Sequence, residues 1–219
     1  MTIRAVIFDL GGVVLGSPLH AIAEYERELG IPTNFVNRVV AETAPDGAWS
    51  RLERGEISMD IFFTDFEADC RAAGQTLSAA AMFERMGRAA LPRPIMLEAI
   101  RRIRAAGLLT AALTNNWANS SDDEADGPGD GTRALAEHFD VFVESSVEGL
   151  RKPDPKIYTL TCERLGIAPA DAAFLDDIGS NLKSARALGM TTIKVDRPEQ
   201  ALGELEAVIG LELKDPAHD

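Results

Sequence analysis

The chain has 219 residues, of which 46% are hydrophobic, and its 22 Lys plus Arg face 35 Asp plus Glu for a formal charge of −13. That length suits one or two domains burying roughly 70% of the unfolded surface, and the apolar content, with 18 Gly and 11 Pro in no fixed period, excludes disordered, collagen-like and coiled-coil classes. The negative field opposes nucleic acid and anionic membranes, so an anionic ligand must be met by local positive groups or a metal.

In chain order, the first apolar run, Ile3 to Phe8, predicts a strand. Residues 17 to 91 then hold several helical patterns and no convincing strand, which predicts an inserted helical subdomain. Within it Met59, Phe62, Phe63, Phe66 and Cys70 recur at spacings of three and four behind Ser58, an amphipathic helix with a serine N-cap. Its aromatics, with Trp49, are either core or cleft lining. Next come a helix at Arg93 to Ala106 and a strand at Leu108 to Leu113. The acidic, glycine-containing stretch Asn119 to Gly131 lacks calcium-loop spacing and is expected to be a solvated surface loop. Strands at Val141 to Val143, Ala172 to Leu175 and Thr191 to Val195 alternate with helices at Pro155 to Leu165, Ser180 to Leu188 and Pro198 to Ile209. Gly107, Gly166 and Gly189 stand where helix stops belong. The alternation is that of an α/β protein, with strands apolar enough to be covered on both faces.

Ligands of a parallel sheet collect at the carboxyl ends of its strands. Asp9 follows the first strand in Phe-Asp-Leu-Gly-Gly, Thr114-Asn115-Asn116 the second and Asp176-Asp177 the fourth, while Lys152 sits in Lys-Pro-Asp-Pro after the third. Each has a structural alternative. Asp9 to Gly12 would serve as a tight turn, Thr114 or Asn115 as a helix cap, and Asp154-Pro155 as a helix entry. Adjacent carboxylates at a buried strand end are harder to explain without a cation or strong donors. Together the segments outline a phosphoryl-transfer site. A hard divalent cation held by Asp9 and a member of the acidic pair would draw phosphate to an aspartate nucleophile, Lys152 would offset charge, and Thr114 and Asn115 would donate to phosphoryl oxygens.

These motifs, in this order from Ile3 to about Ile209, resemble the haloacid dehalogenase superfamily of hydrolases. The segments Leu-Thr-Asn-Asn-Trp, Val-Glu-Ser-Ser-Val-Glu-Gly-Leu-Arg-Lys-Pro-Asp-Pro and Phe-Leu-Asp-Asp-Ile-Gly-Ser-Asn-Leu-Lys are similar to the phosphatase domain of soluble epoxide hydrolases and the related domain of acyl-CoA dehydrogenase family member ten. The resemblance implies a doubly wound parallel sheet, residues 1–16 and 92–219, with an all-helical cap, residues 17–91, inserted after the first strand. It implies Asp9 as nucleophile and as a magnesium ligand together with the Gly11 carbonyl and Asp177, with Asp176 in support. Thr114, Asn115 and Lys152 match phosphate-binding positions, and Asn116 and Asn181 are further contributors. One position departs from the family pattern. Most phosphatases of the superfamily carry a general acid/base aspartate two residues after the nucleophile, and here that residue is Gly11. Such help is worth on the order of 10² to 10⁴ in rate, so substrates with good leaving groups are expected: aryl, acyl or anomeric phosphates.

The expected function is a magnesium-dependent phosphatase of a small-molecule or lipid-like phosphate. Two rivals stay open: a degenerate phosphate- or partner-binding domain, and a hydrolytic haloacid dehalogenase, against which Asp176-Asp177 argues. A dinucleotide site does not fit, because Val13 occupies the middle glycine position of GxGxxG. There is no GxSxG, and His20, His138 and His218 are expected to be surface or packing residues. Cys70 and Cys162 have no metal or disulfide spacing, so a reducing, cytoplasmic setting is expected. Neither export nor membrane insertion is expected from the N-terminal run or any later stretch, and oligomeric state is not legible.

Overall fold

The computed structural model describes residues 2–117 and 135–213, so the acidic stretch Asn119 to Gly131 and His218 lie outside the described residues. Five strands, Ala5–Phe8 (β1), Leu109–Thr114 (β2), Val141–Glu144 (β3), Ala172–Asp176 (β4) and Thr191–Lys194 (β5), form one sheet in the order β3-β2-β1-β4-β5. Every pair is parallel. The chain runs outward from β1 to one edge and then to the other, which puts the switch point between β1 and β4.

The alternation of side chains along β1 sets the layers. Val6 and Phe8 face the core shared with Pro94–Ala105 (α6) and Pro198–Ile209 (α10), whereas Ala5 and Ile7 face the core shared with Pro155–Leu165 (α8) and Gly179–Ala187 (α9). Burial of each large apolar side chain here contributes about 2 kcal/mol, so the central strand is fixed from both sides. Asp154 caps α8 by accepting from the Lys156 N–H at 2.9 Å, with Pro155 at the first helical position. Gly107, Gly166 and Gly189 all adopt positive φ, as helix stops there require. A short helix, Ser145–Glu148 (α7), follows β3 directly.

Between β1 and α6 the chain forms five helices, Pro18–Leu29 (α1), Phe35–Thr43 (α2), Ala48–Glu53 (α3), Met59–Ala72 (α4) and Ala79–Ala89 (α5), which surround a second apolar cluster. Ser58 caps α4 through the Ile61 N–H, and Phe62, Phe66 and Cys70 are buried on its inner face. Glu26 of α1 accepts from the N–H groups of Asn34 and Val36, both at 2.8 Å, and so starts α2. The segments entering and leaving this helical region run side by side: Leu15 bridges Pro92, and the N–H of Gly16 donates to Leu91 O at 2.9 Å. A Cβ on Gly16 would stand 2.0 Å from Ala89 O, so the approach of the two segments requires glycine there. No helix among the described residues is long and apolar enough to cross a membrane.

Candidate active site

The carboxyl ends of β1, β2 and β4 converge, and the polar residues after them meet. Asp9 extends β1 by one residue, its N–H donating to Leu175 O at 2.9 Å. The chain then turns through Leu10–Val14, where Gly12 has φ 79°. A Cβ on Gly12 would lie 2.1 Å from Asp177 Oδ2, so glycine admits both the turn and the acid behind it. Gly11 differs. Its φ of −63° and ψ of 123° suit any residue, and the nearest atom to a Cβ there is Pro18 Cδ at 3.4 Å. Arg93, at the entry to α6, braces this turn by donating to the carbonyls of Gly12 and Val13 at 2.8 and 3.2 Å.

Lys152 is the hub. Its side chain is 1% exposed, and Nζ lies 2.9 Å from Asp9 Oδ1 and 2.8 Å from Asp176 Oδ2. Burial opposes the ammonium charge, but the Asp176 and Asp9 carboxylates outweigh it and hold the lysine above its ordinary range. Asp176 is completely buried, and its oxygens also take the Ile178 N–H at 2.7 Å and Asn181 Nδ2 at 3.0 and 3.2 Å. Asp9 Oδ1 additionally accepts the Leu10 N–H at 2.7 Å. Burial nonetheless pushes the Asp9 carboxyl well above the usual carboxylate range; Lys152 pulls it back, and Asp176 and Asp177 raise it further. Burial, and then Asp176, push Asp177 up to about 6.

Oxygens of Asp9, Asp176 and Asp177 lie within 4.8 Å of one another. Three carboxylates against one lysine leave an excess of negative charge when all ionise, which adds to burial in raising Asp9 and Asp177. The donor set, all oxygen and hard, fits a divalent cation such as magnesium.

The sequence-predicted residues of β2 divide. Thr114 is buried, and among the described residues its hydroxyl reaches only Asn115 O, at 3.5 Å. Asn115 spends its side chain on the Lys152 main chain, accepting its N–H at 2.9 Å and donating to its carbonyl at 3.0 Å. Asn116 anchors to Glu144 Oε1 at 2.6 Å and to Ser146 Oγ at 3.0 Å. Glu53 of α3 and Arg151, neither singled out by the sequence, enter the same site. Arg151 Nε donates to Glu53 Oε2 at 2.5 Å.

Above these groups opens a cavity of about 1090 Å³. Its floor includes Asp9, Thr114, Asn115, Lys152 and Asp177, and its walls include Leu19, Ile22, Val40, Trp49, Met86 and Trp117. Of the aromatics that the sequence offered as lining, Trp49 borders the cavity, while Phe62 and Phe66 are fully buried and Phe63 packs against the same helical core.

Comparisons with known proteins bear on the family of the chain. The chain matches the haloacid dehalogenase-like hydrolase family over residues 3–189. It is 42% identical over 213 residues to mouse acyl-CoA dehydrogenase family member 10 and 36% identical over 228 residues to pig bifunctional epoxide hydrolase 2. Those alignments take in 96% and 97% of this chain but 19% and 40% of the relatives, so the chain spans well under half the length of either. A sesquiterpene phosphatase of Aspergillus oryzae is 26% identical over 213 residues, covering 95% of this chain and 98% of that protein. A HAD-family enzyme of Bacteroides thetaiotaomicron, solved with magnesium and inorganic phosphate, shares the fold at a TM-score of 0.56 and 20% identity, over 88% of this chain and 93% of that one. With the family matched over most of its length and the parallel sheet in place, the chain belongs to the haloacid dehalogenase-like hydrolases.

Proposed function

We propose that the chain is a magnesium-dependent phosphatase acting on a small-molecule or lipid-like phosphate through an aspartyl-phosphate on Asp9. The observation that carries this reading is Lys152 Nζ, bonded at once to Asp9 at 2.9 Å and to Asp176 at 2.8 Å on the floor of an apolar-walled cavity. Oδ1 of Asp9 is held by Lys152 and Leu10, which leaves Oδ2 as the attacking oxygen. Oδ2 forms a bond to phosphorus, and the ester oxygen departs with the electron pair of the broken P–O bond. Water then attacks the same phosphorus and the P–Oδ2 bond breaks, its electron pair returning to Asp9; phosphate is released, and the proton lost by the water is balanced by the one the departed ester oxygen takes from solvent. The Thr114 hydroxyl donates to a phosphoryl oxygen and Lys152 offsets its charge, while Asn115 shapes the phosphate site by gripping the Lys152 main chain. Asp176 and Asn181 keep the lysine in place. Asp9, the Gly11 carbonyl and Asp177 are the groups that would hold magnesium, whose charge when bound favours the ionised carboxylates and attracts phosphate.

Residues 17–91 act as a cap on the core built from residues 1–16 and 92–219, and supply the wall against which the leaving group lies. Several walls are apolar, which suits a hydrophobic organophosphate, and the likeness to a sesquiterpene phosphatase along nearly its whole length supports that class. With glycine at position 11, the leaving oxygen receives no proton from the usual side chain, so turnover should depend steeply on leaving-group pKa.

The test is phosphate release from p-nitrophenyl phosphate with and without magnesium, on the wild-type chain and Asp9→Asn. Magnesium-dependent release that Asp9→Asn abolishes is the expected result. No release above that of Asp9→Asn, with magnesium still bound, would overturn the reading in favour of a phosphate-binding domain.

A further inference from the structure

Glu53 ends α3 in the helical region, yet its carboxylate is committed to the core. Its side chain is only 9% exposed. Oε1 accepts Trp49 Nε1 at 2.9 Å, while Oε2 accepts Arg151 Nε at 2.5 Å and Asn115 Nδ2 at 3.2 Å. Asn115 in turn brackets the main chain of Lys152, and Arg151 is that lysine's neighbour. One carboxylate from the helical region thus fixes the two side chains that flank the main chain of the hub lysine.

We propose that Glu53 is a positioning residue, which acts through Asn115 and Arg151 to set the Lys152 main chain so that Nζ meets Asp9 when the helical region is docked. Adhesion alone would not call for such a group. An apolar contact of the same size would hold two layers together without the cost of burying a charge, and one use of a buried ion pair is to specify a single arrangement. The contact is also directional: every hydrogen bond Glu53 accepts on Oε2 comes from a residue within the segment 115 or 151 that abuts Lys152. Nearby, Gly55 approaches the core so closely that a Cβ would lie 2.3 Å from Ser146 O, so this part of the helical region seats on the core within tight steric limits. The kinetic part of this inference rests on the proposed phosphatase reading; the positional part does not.

Two readouts separate them. Glu53→Gln keeps the size but sets an amide donor against either the Trp49 N–H or the Arg151 guanidinium. The expected results are kcat for p-nitrophenyl phosphate down by about tenfold, a magnitude typical of a sub-ångström displacement of a reacting group, and hydrogen exchange at the Lys152 amide, followed by mass spectrometry, faster by about tenfold with exchange in β1 unchanged. In a background carrying both Asn115→Ala and Arg151→Ala, adding Glu53→Gln should change kcat by less than about twofold, because both paths to Lys152 are already cut. Unchanged Lys152 exchange, or a full tenfold kcat loss in that doubly substituted background, would overturn the inference. Should Glu53→Gln fail to fold, Glu53→Asp, which keeps the charge and withdraws it by one methylene, carries the same readouts. A wild-type chain that releases no phosphate would refute the phosphatase reading, and the exchange result would then decide the role of Glu53 by itself.

Discussion

The floor and the walls of the cavity are built by opposite means. On the floor, Asp9, Lys152 and Asp176 are locked by polar contacts of 2.8 and 2.9 Å made between segments far apart in sequence. On the walls, Leu19, Ile22 and Val40 offer apolar surface held by the packing of helices around their own core. Hydrogen-bonded charge in a buried site fails abruptly when one member is lost, whereas an apolar wall gives way by volume. The sharpest break in that comparison should be Lys152→Met. It leaves Asp9 and Asp176 buried without their cation, and we expect a loss of about 3–5 kcal/mol in urea unfolding with turnover reduced on the order of 10³-fold. If Lys152→Met cost no more than a wall substitution, the distinction between floor and walls would fall.

Acidity on the floor gives the next largest effect. Asp177 is held at about 6 by burial and by Asp176, above its ordinary value of 3.8. The folded state therefore binds a proton that the unfolded chain has already released, and metal-free stability must fall as pH rises from about 4 through about 6. The penalty at neutral pH is no more than about 3 kcal/mol for this group, and Asp9 shifts in the same direction. Metal-free protein should melt several degrees higher at pH 5.5 than at pH 7.5, magnesium should remove most of the difference, and Asp177→Asn should flatten both responses. A metal-free melting temperature that climbs between those pH values would contradict the assignment. Glu98, drawn down to about 2 by Arg101 and Arg102, works in the opposite sense only in more acidic solution.

The two regions were also unequally legible in the sequence. The strands stood out because burial on both faces leaves short apolar runs, and the observed Ala172–Asp176 differs from the expected Ala172 to Leu175 only by the acid that ends it. Asp9, Lys152 and Asp176 were readable because a strand end in a parallel sheet is a known place for a polar residue to act. Glu53 was not. Its significance comes from a contact with Asn115 across 62 positions, and a glutamate at the end of a helix carries no local mark of it. Arg93 was hidden likewise, as one basic residue before a proline that starts a helix. In the helical region the apolar period singled out Phe62 and Phe66, and Trp49 was read beside them, but the sequence could not tell core from cleft. The Trp49 ring packs against Phe62 and Phe66 at centroid separations of 5.7 and 5.4 Å and still borders the cavity.

Gly11 lies where floor meets wall, and Gly11→Asp sharpens the comparison with a gain. The backbone there already has φ −63°, and the new Cβ would make ordinary contact with Pro18, so no rearrangement of the turn is required. On the proposed mechanism, an aspartate placed there would supply the proton that an alkyl leaving group needs. Release from a simple alkyl phosphate should rise by about 10- to 10²-fold, while release from p-nitrophenyl phosphate should change by less than about threefold, since its leaving group departs unaided. Equal gains on the two substrates would mean that the proton is not what position 11 withholds.

The walls should yield the smallest effect, and one that depends on the substrate. Val40 is half-buried and borders the cavity from α2. Val40→Ser removes apolar surface without touching the polar floor, and one methylene's worth of contact is worth about 1 kcal/mol in a site that grips it. For a long-chain alkyl phosphate kcat/KM should fall by about fivefold, and for methyl phosphate, too short to reach the wall, it should stay within about 1.5-fold. The ratio of the two is the quantity to measure, because a disturbed floor would lower both together. A common loss would mean that α2 shapes the polar site itself, and the helical region would then have to be treated as part of the floor.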